Sequence, residues 1–507
     1  MLRPMRKTSL ALALWASAAL GAPWTRPDVE QLKRVERPRL AALWARTWRR
    51  DRNEDVVFVP AWGRMVTSLT SDHGSPWAYD AHTPLILWGP GHVRPGDYLE
   101  MVRAVDLMPT LSALLGRPPD VTLPGRVLED ALVPGAPLPR AVISVVLDQV
   151  GFDALAQDLA DLPTLSRLAR EGAWFRDCRV DYLPTITALF HEVLGSGRYA
   201  VQNGISSDKL WDPQTRKYRN AVDDGDPAPI QVPTLMELWQ REQGGRPRIV
   251  ALAGVPRTTV ELAGHRGAEP ADNLKAVAWW DTERERWVSN PAYYRLPPEA
   301  ACVTFRTVFR ELPADWLGHR LDTPEARYRS PLMASVVAEA LVRIIETERI
   351  GGAGGPADLL HVTFKDTDTA GHDHGNGSPE FRTALRAADR GLGRVLAALE
   401  RQAGRDGLVV LVTADHGGMP EKLRQAGARV TEKEMARWLL ERLPVKPGAS
   451  PWLRDVVNPQ VYLIPDGMKA NGYTPELVAR TLEQHPAIEA AFTGTELEAL
   501  RARSAAR

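Results

Sequence analysis

Four runs along the chain share one grammar: a near-continuous apolar, β-branched stretch that ends in polar or acidic residues. They are AVISVVLD (141–148), RIVALAG (248–254), LLHVTFKD (359–366) and GLVVLVTAD (407–415). Stretches of helical period separate them, among them DLPTLSRLAREG, SPLMASVVAEALVRIIETER and SPEFRTALRAADRGLGRVLAALERQ. Buried strands alternating with helices predict an α/β fold, doubly wound, with a largely parallel central sheet and helices on both faces. Ligands bind such sheets at the carboxyl ends of the strands. Upstream, DVVFVP (55–60) and TPLILWG read as further buried strands, and DLMPTLSALLG as a helix entered through a proline.

Punctuation divides the chain. Residues 117–140 are Pro-rich (PPDVTLPG, then VPGAPLP) and read as a linker between a segment 51–116 and a main part 141–507. The Trp-rich stretch from about 225 to 345 fits no simple α/β unit and is expected as an inserted cap. Residues 23–50 form a polar, Arg-rich and partly helical segment. In residues 1–22, Arg3, Arg6 and Lys7 precede the apolar run LALALWASAAL and the small residues around Ala19 and Gly21. That is the layout of an export signal, so a periplasmic or extracellular location is expected. No other segment approaches the length of a membrane span.

Composition narrows the field. With 44% hydrophobic and 25% charged residues the chain is globular, which excludes a disordered or collagen-like polymer. Lys plus Arg and Asp plus Glu both number 63, so nucleic acid is not drawn by global charge, and no basic patch is evident. Two cysteines, Cys178 and Cys302, exclude a disulfide framework and an all-cysteine metal site. One bridge or two free buried thiols both remain open.

Four short segments bring acids and histidines to strand ends or glycine turns. TADHGG carries Asp415 and His416, and FKDTDTAGHDHG carries Asp368 and His372 four residues apart. AVISVVLDQVG ends its strand at Asp148, and SDHGSPWAYDAH supplies His73. Carboxylate and imidazole are the ligands zinc accepts where cysteine is absent. Each residue alone reads more simply as a cap, a turn or a hydrogen-bonded side chain; the set together points to a two-metal hydrolase. The nucleophile such a site needs is offered by LPTIT, as Thr185 or Thr187.

These motifs (VVLDQVG, LPTIT followed by His191, DTAGH and TADHGG) resemble the alkaline phosphatase superfamily, in the branch of threonine-nucleophile phosphatases and nucleotide pyrophosphatase/phosphodiesterases. The resemblance covers roughly 50–130 and 138–500. It implies two zinc ions, one bound by Asp368, His372 and His73, the other by Asp148, Asp415 and His416. Thr187 is then both ligand and nucleophile, being the second threonine of its segment and four residues before His191. The implied activity is hydrolysis of small phosphate esters through a phospho-threonine, with phosphodiesterase or nucleotide pyrophosphatase chemistry on the same site as the alternative. A non-catalytic binding protein on a decayed scaffold is the rival from another class. A sulfatase is disfavoured because neither cysteine sits in the motif that group modifies.

The sequence departs from the pattern in two ways. The block SDHGSPWAYDAHTPLILWGPG, which closes the chain in relatives, stands here near the start, as in a circular permutation. His73 must then lie beside Asp368 and His372 across about 300 residues. Around the substrate, Asp208 stands where an asparagine contacts phosphate, and Val255 replaces the lysine of a K-x-R pair whose Arg257 is kept. A carboxylate beside phosphate repels a monoester dianion more than a diester monoanion, unless Asp208 is protonated or pairs with Lys209 or Arg257. Asp366 and His374 flank ligands and are expected to support them or face solvent.

Overall fold

Runs of fully buried β-branched residues fold as a long mixed sheet. The computed structural model describes residues 35–212, 215, 217–267, 273–424 and 429–505. The expected export signal and residues 23–34 lie outside the described residues. From one edge the main sheet runs Arg286–Val288, Ala276–Asp281, Ile249–Ala253, Asp358–Phe364, Ala141–Leu147, Leu408–Thr413, His82–Trp88, Ala173–Arg179 and Gly96–Tyr98. The four predicted strands are neighbours at its centre, and their pairings are parallel. Helices such as Leu332–Glu348 and Pro379–Ala403 flank the sheet. The latter starts on Ser378, whose side chain accepts the Phe381 amide, and stops at Gly404, which takes a positive φ of 72°.

One central strand runs the other way. His82–Trp88 is antiparallel to both Leu408–Thr413 and Ala173–Arg179. Its beginning therefore lies at the same sheet edge as the carboxyl ends of its neighbours. Its residues are buried throughout, so it belongs to the core.

A second, antiparallel sheet repeats the arrangement. Val56–Pro60 sits between Gln460–Leu463 and Ile488–Thr493, and Leu453–Val457 closes the outer edge. The early segment thus inserts one strand into the middle of each sheet. Glu36–Arg507 accordingly forms one compact unit.

The stretch 117–140 is packed against the body. Leu128 and Ala131 are buried, and Arg117 meets Glu242 at 2.7 Å. The cap expected over about 225–345 is smaller than its bounds suggested. Ile249–Ala253, Ala276–Asp281 and Arg286–Val288 all belong to the main sheet, because their apolar runs find buried partners there. Cys178 and Cys302 are both free; Cys178 is buried, but Cys302 is exposed, against the expectation of two buried thiols. No helix among the described residues is long and apolar enough to cross a membrane.

The central position of His82–Trp88 has a measurable consequence. Ile86 is fully buried between Val412 and Trp174. Ile86→Ala should cost about 2–5 kcal/mol in urea unfolding, as for a core truncation. A cost below about 1 kcal/mol would place the strand outside the cooperative core.

Candidate metal centre

Sheet polarity gathers the site. Asp148, Asp415 and the helix bearing Asp368 follow the carboxyl ends of three adjacent parallel strands. The loop leaving Ala173–Arg179 leads to Thr187, and the antiparallel His82–Trp88 brings His73 to the same edge from its own start.

Ligand-capable atoms of Asp148, Asp415 and His416 lie within 4.8 Å of one another, and all three residues are buried. His73 belongs to two further groups, one with Asp368 and His416, the other with Asp72 and His372. His73 Nε2 is 3.9 Å and His372 Nε2 is 3.2 Å from Asp368 Oδ1. The His73 ring stacks on His416 at 3.6 Å between centroids. The expected residues therefore share one place, and Asp72 joins them.

The hydrogen bonds of the three histidines test whether a metal fits. His73 Nδ1 donates to Thr185 O at 2.8 Å, His372 Nδ1 to Ser71 O at 2.8 Å, and His416 Nδ1 to Gly417 O at 2.9 Å. A carbonyl only accepts, so each Nδ1 carries a proton and Nε2 is left to face the acids. Such backbone partners orient metal-ligating histidines. Asp415 Oδ2 is buried and accepts no hydrogen bond. These donors suit a divalent ion of zinc type.

Charge points the same way. Burial, and then Asp415, raises the Asp148 carboxyl well above its ordinary value. Burial also raises Asp415. Burial pushes His73 and His416 down to about 3, so both imidazoles are neutral. At His372 burial opposes charge, but the Asp368 carboxylate outweighs it and lifts the ring to about 9.

The two threonines have different surroundings. Thr185 Oγ1 donates to Ser75 O and accepts from Gly74 N, both at 3.1 Å, which ties down the His73 loop. Thr187 begins the helix Thr187–Ser196, and its Oγ1 faces His416 Nε2 at 3.4 Å. Asp208 Oδ1 accepts the Ala188 amide at 3.0 Å at the start of the same helix. It also meets Arg257 Nε at 3.5 Å. Burial opposes ionisation of Asp208, but Arg257 and the Ala188 amide hold its pKa below the ordinary carboxylate value.

Three residues of the site were not singled out in the sequence. Lys365 reaches Asp148 Oδ2 at 2.8 Å, Asp368 Oδ2 at 2.7 Å and Thr187 Oγ1 at 3.5 Å. Asp72 carried a visible signal, since SDHG at 71–74 repeats the DHG of ADHG at 414–417. Gln149 adopts a left-handed backbone with φ of 65°. Its amide N–H donates to Asp415 Oδ1 at 3.1 Å and its side chain to Asp368 Oδ1 at 3.2 Å. Of the flanking residues, Asp366 is buried and lifted to about 8 by burial, while His374 packs against His319.

Behind Thr187 runs a chain of buried hydrogen bonds. His191 Nδ1 donates to Thr187 O at 2.8 Å, so its Nε2 accepts from Thr363 Oγ1 at 2.9 Å. Thr363 Oγ1 in turn accepts from His361 Nε2 at 2.9 Å, and His361 Nδ1 accepts from Ser144 Oγ at 2.9 Å. This order of protons holds with both rings neutral, and the Ser144 hydroxyl also lies 3.4 Å from Leu360 O. Burial pushes His361 down to about 3. Its folded pKa is below the unfolded value, so its stabilisation is complete above about pH 6.5 and is lost as pH falls towards 3. Between pH 6.5 and 4.5 this loss is roughly 2–3 kcal/mol. His361→Gln should therefore lose less stability than the wild type across that interval in urea titrations. Parallel losses would contradict the neutral, proton-ordered chain.

The chain is similar to known proteins over much of its length. Residues 142–487 match the model of the type I phosphodiesterase / nucleotide pyrophosphatase family. Alkaline phosphatase PhoV of Synechococcus elongatus is 23% identical over 325 residues, covering 55% of this chain. The chain spans only 59% of PhoV's length. Alkaline phosphatase PafA of Elizabethkingia meningoseptica is 21% identical over 379 residues, covering 64% of this chain and 69% of that protein. The crystal structure of wild-type PafA shares the fold, with a TM-score of 0.57 at 18% identity over 69% of this chain and 78% of that one. The chain belongs to the type I phosphodiesterase / nucleotide pyrophosphatase family of phosphoester hydrolases, within the alkaline phosphatase superfamily.

Proposed function

We propose that the chain hydrolyses phosphate monoesters, with Thr187 as nucleophile. The observation that carries this reading is the set of three imidazoles whose Nδ1 atoms are spent on backbone carbonyls, turned towards buried carboxylates beside the Thr187 hydroxyl. Asp148, Asp415, His416 and Thr187 would hold one divalent ion, and Asp368, His372 and His73 the other. When bound, such ions lower the pKa of the threonine hydroxyl and stabilise charge on the transferring phosphoryl group.

Thr187 Oγ gives its proton to water and forms the new bond to phosphorus while the bond from phosphorus to the ester oxygen breaks, that oxygen leaving as the alcohol with a proton from water. Water then cleaves phospho-Thr187 and releases phosphate. Thr187 starts a helix, where the exposed amides favour a phosphoryl anion. Asp208 takes one of those amides, and Arg257 sits beside its carboxylate. The Lys365 ammonium near Thr187 Oγ1 brings cationic charge from another strand end, where Val255 brings none. These two cations favour the monoester dianion; Asp208 itself favours the diester reading.

We read the chain order as a circular permutation. His73 approaching Asp368 at 3.9 Å and the insertion of 82–88 into the central sheet support it. Residues 1–22 are read as an export signal.

Paired kinetics on p-nitrophenyl phosphate and its bis ester test the proposal. The wild type should prefer the monoester, and Thr187→Ala should lose at least about a thousandfold in kcat/KM on both. Asp208→Asn should shift the ratio further towards the monoester by about tenfold, one charge–charge repulsion in a polar site. Undiminished turnover in Thr187→Ala would remove the nucleophile assignment. A wild type preferring the diester would overturn the monoester reading, and metal binding without turnover on either ester would overturn hydrolysis itself.

A further inference from the structure

A second ligand-capable cluster lies outside the residues assigned to the proposed reaction. His319, His374 and Glu380 place imidazole nitrogens and a carboxylate oxygen within 4.8 Å of one another. His319 Nε2 is 3.1 Å from Glu380 Oε1, and the two imidazole rings are 4.4 Å apart between centroids. Trp316 packs on both rings, 5.6 Å from His319 and 5.8 Å from His374. Side-chain exposure is 43% at His319 and 18% at Glu380, so the cluster is open to solvent on one side.

The three residues come from three elements, two of them consecutive helices packed against each other. His319 lies on a short hairpin, Asp315–Trp316 against His319–Arg320, turned through Leu317 and Gly318 at positive φ. Among the described residues this hairpin pairs with no other strand. His374 ends the helix Asp366–His374, and Glu380 lies in the first turn of Pro379–Ala403. A helix turns about 100° per residue, so His374 projects about 200° from His372, away from the face carrying the Asp368–His372 pair. Near the cluster, Asp373 is occupied by Arg329 at 2.7 Å, which leaves Glu380 as the carboxylate facing the two rings.

From this geometry we propose a separate divalent transition-metal site, formed by His319, His374 and Glu380. Two imidazoles and one carboxylate with an open side suit zinc, with water completing a tetrahedral shell. Ligand binding requires the His319 Nε2 that now faces Glu380 at 3.1 Å to present its lone pair to the ion. The bound ion fastens an otherwise unpaired hairpin to the end of the helix that carries Asp368 and His372. It tethers the outer hairpin to the sheet edge where Thr187 lies.

The test counts metal in the full chain. Wild type, His319→Ala and Glu380→Gln are each dialysed against excess zinc, gel-filtered, and assayed for zinc per chain by mass spectrometry. Each variant should hold one equivalent fewer than the wild type. Because the result is a difference, it stands whether or not Asp148, Asp415 and Asp368 bind metal. Equal counts in all three proteins would overturn the site. Limited trypsin digestion gives an independent readout. Zinc should slow cleavage at Arg310 and Arg320 in the wild type and have no such effect in His319→Ala. Cleavage equally sensitive to zinc in both would overturn the tether.

Discussion

Buried negative charge at one edge of the sheet is the constraint on which the rest of the structure depends. Asp148, Asp368 and Asp415 end up within a few ångströms of one another because their strands are adjacent and parallel. Isolated buried carboxylates are costly, and the fold answers with cations and hydrogen bonds. Lys365 bridges Asp148 and Asp368, and Gln149 accepts a left-handed backbone to donate to both Asp415 and Asp368. A Cβ on Gly417 would strike the Tyr79 carbonyl, so the loop after His416 can close on the early segment only with glycine there. Strain of this kind is tolerated where the surroundings fix the geometry.

That arrangement makes the early segment indispensable. Val56–Pro60 and His82–Trp88 each occupy an interior position between two strands that lie far away in sequence. The reversed direction of His82–Trp88 delivers His73 to the site, and Thr185 then ties its loop to the segment that carries Thr187. The histidine chain from Ser144 to Thr187 O links the same Thr187-bearing segment to the two central strands. Position at the site is thus set by several elements at once.

Much of this was legible in the chain. AVISVVLD, RIVALAG, LLHVTFKD and GLVVLVTAD read as buried parallel strands because β-branched runs need cover on both faces, and each became one. Asp148, Asp368, His372, Asp415 and His416 stood out because strand-end acids and glycine turns are local signals. His73 stood out in its glycine turn, but its pairing with Asp368 and His372 came only through resemblance, since its neighbours are set by topology. Lys365 was missed because a lysine after a strand ordinarily faces water, and only the convergence of Asp148 and Asp368 keeps it buried. Asp208 pairs with Arg257, one of the ways its charge could be offset. The bounds of the cap failed because tryptophan-rich strands such as AVAWWD look irregular until a neighbouring strand is known. Nothing local could reveal His319 beside His374 and Glu380.

The proposed hydrolysis needs two divalent ions at the carboxyl edge of the sheet, with Thr187 between them and the substrate. Anomalous scattering at the zinc edge, from crystals of the full chain grown with zinc, tests it most directly. The account predicts one peak among Asp148, Asp415 and His416 and a second among His73, Asp368 and His372. Lys365 bridging the acids with no peak at either place would contradict it.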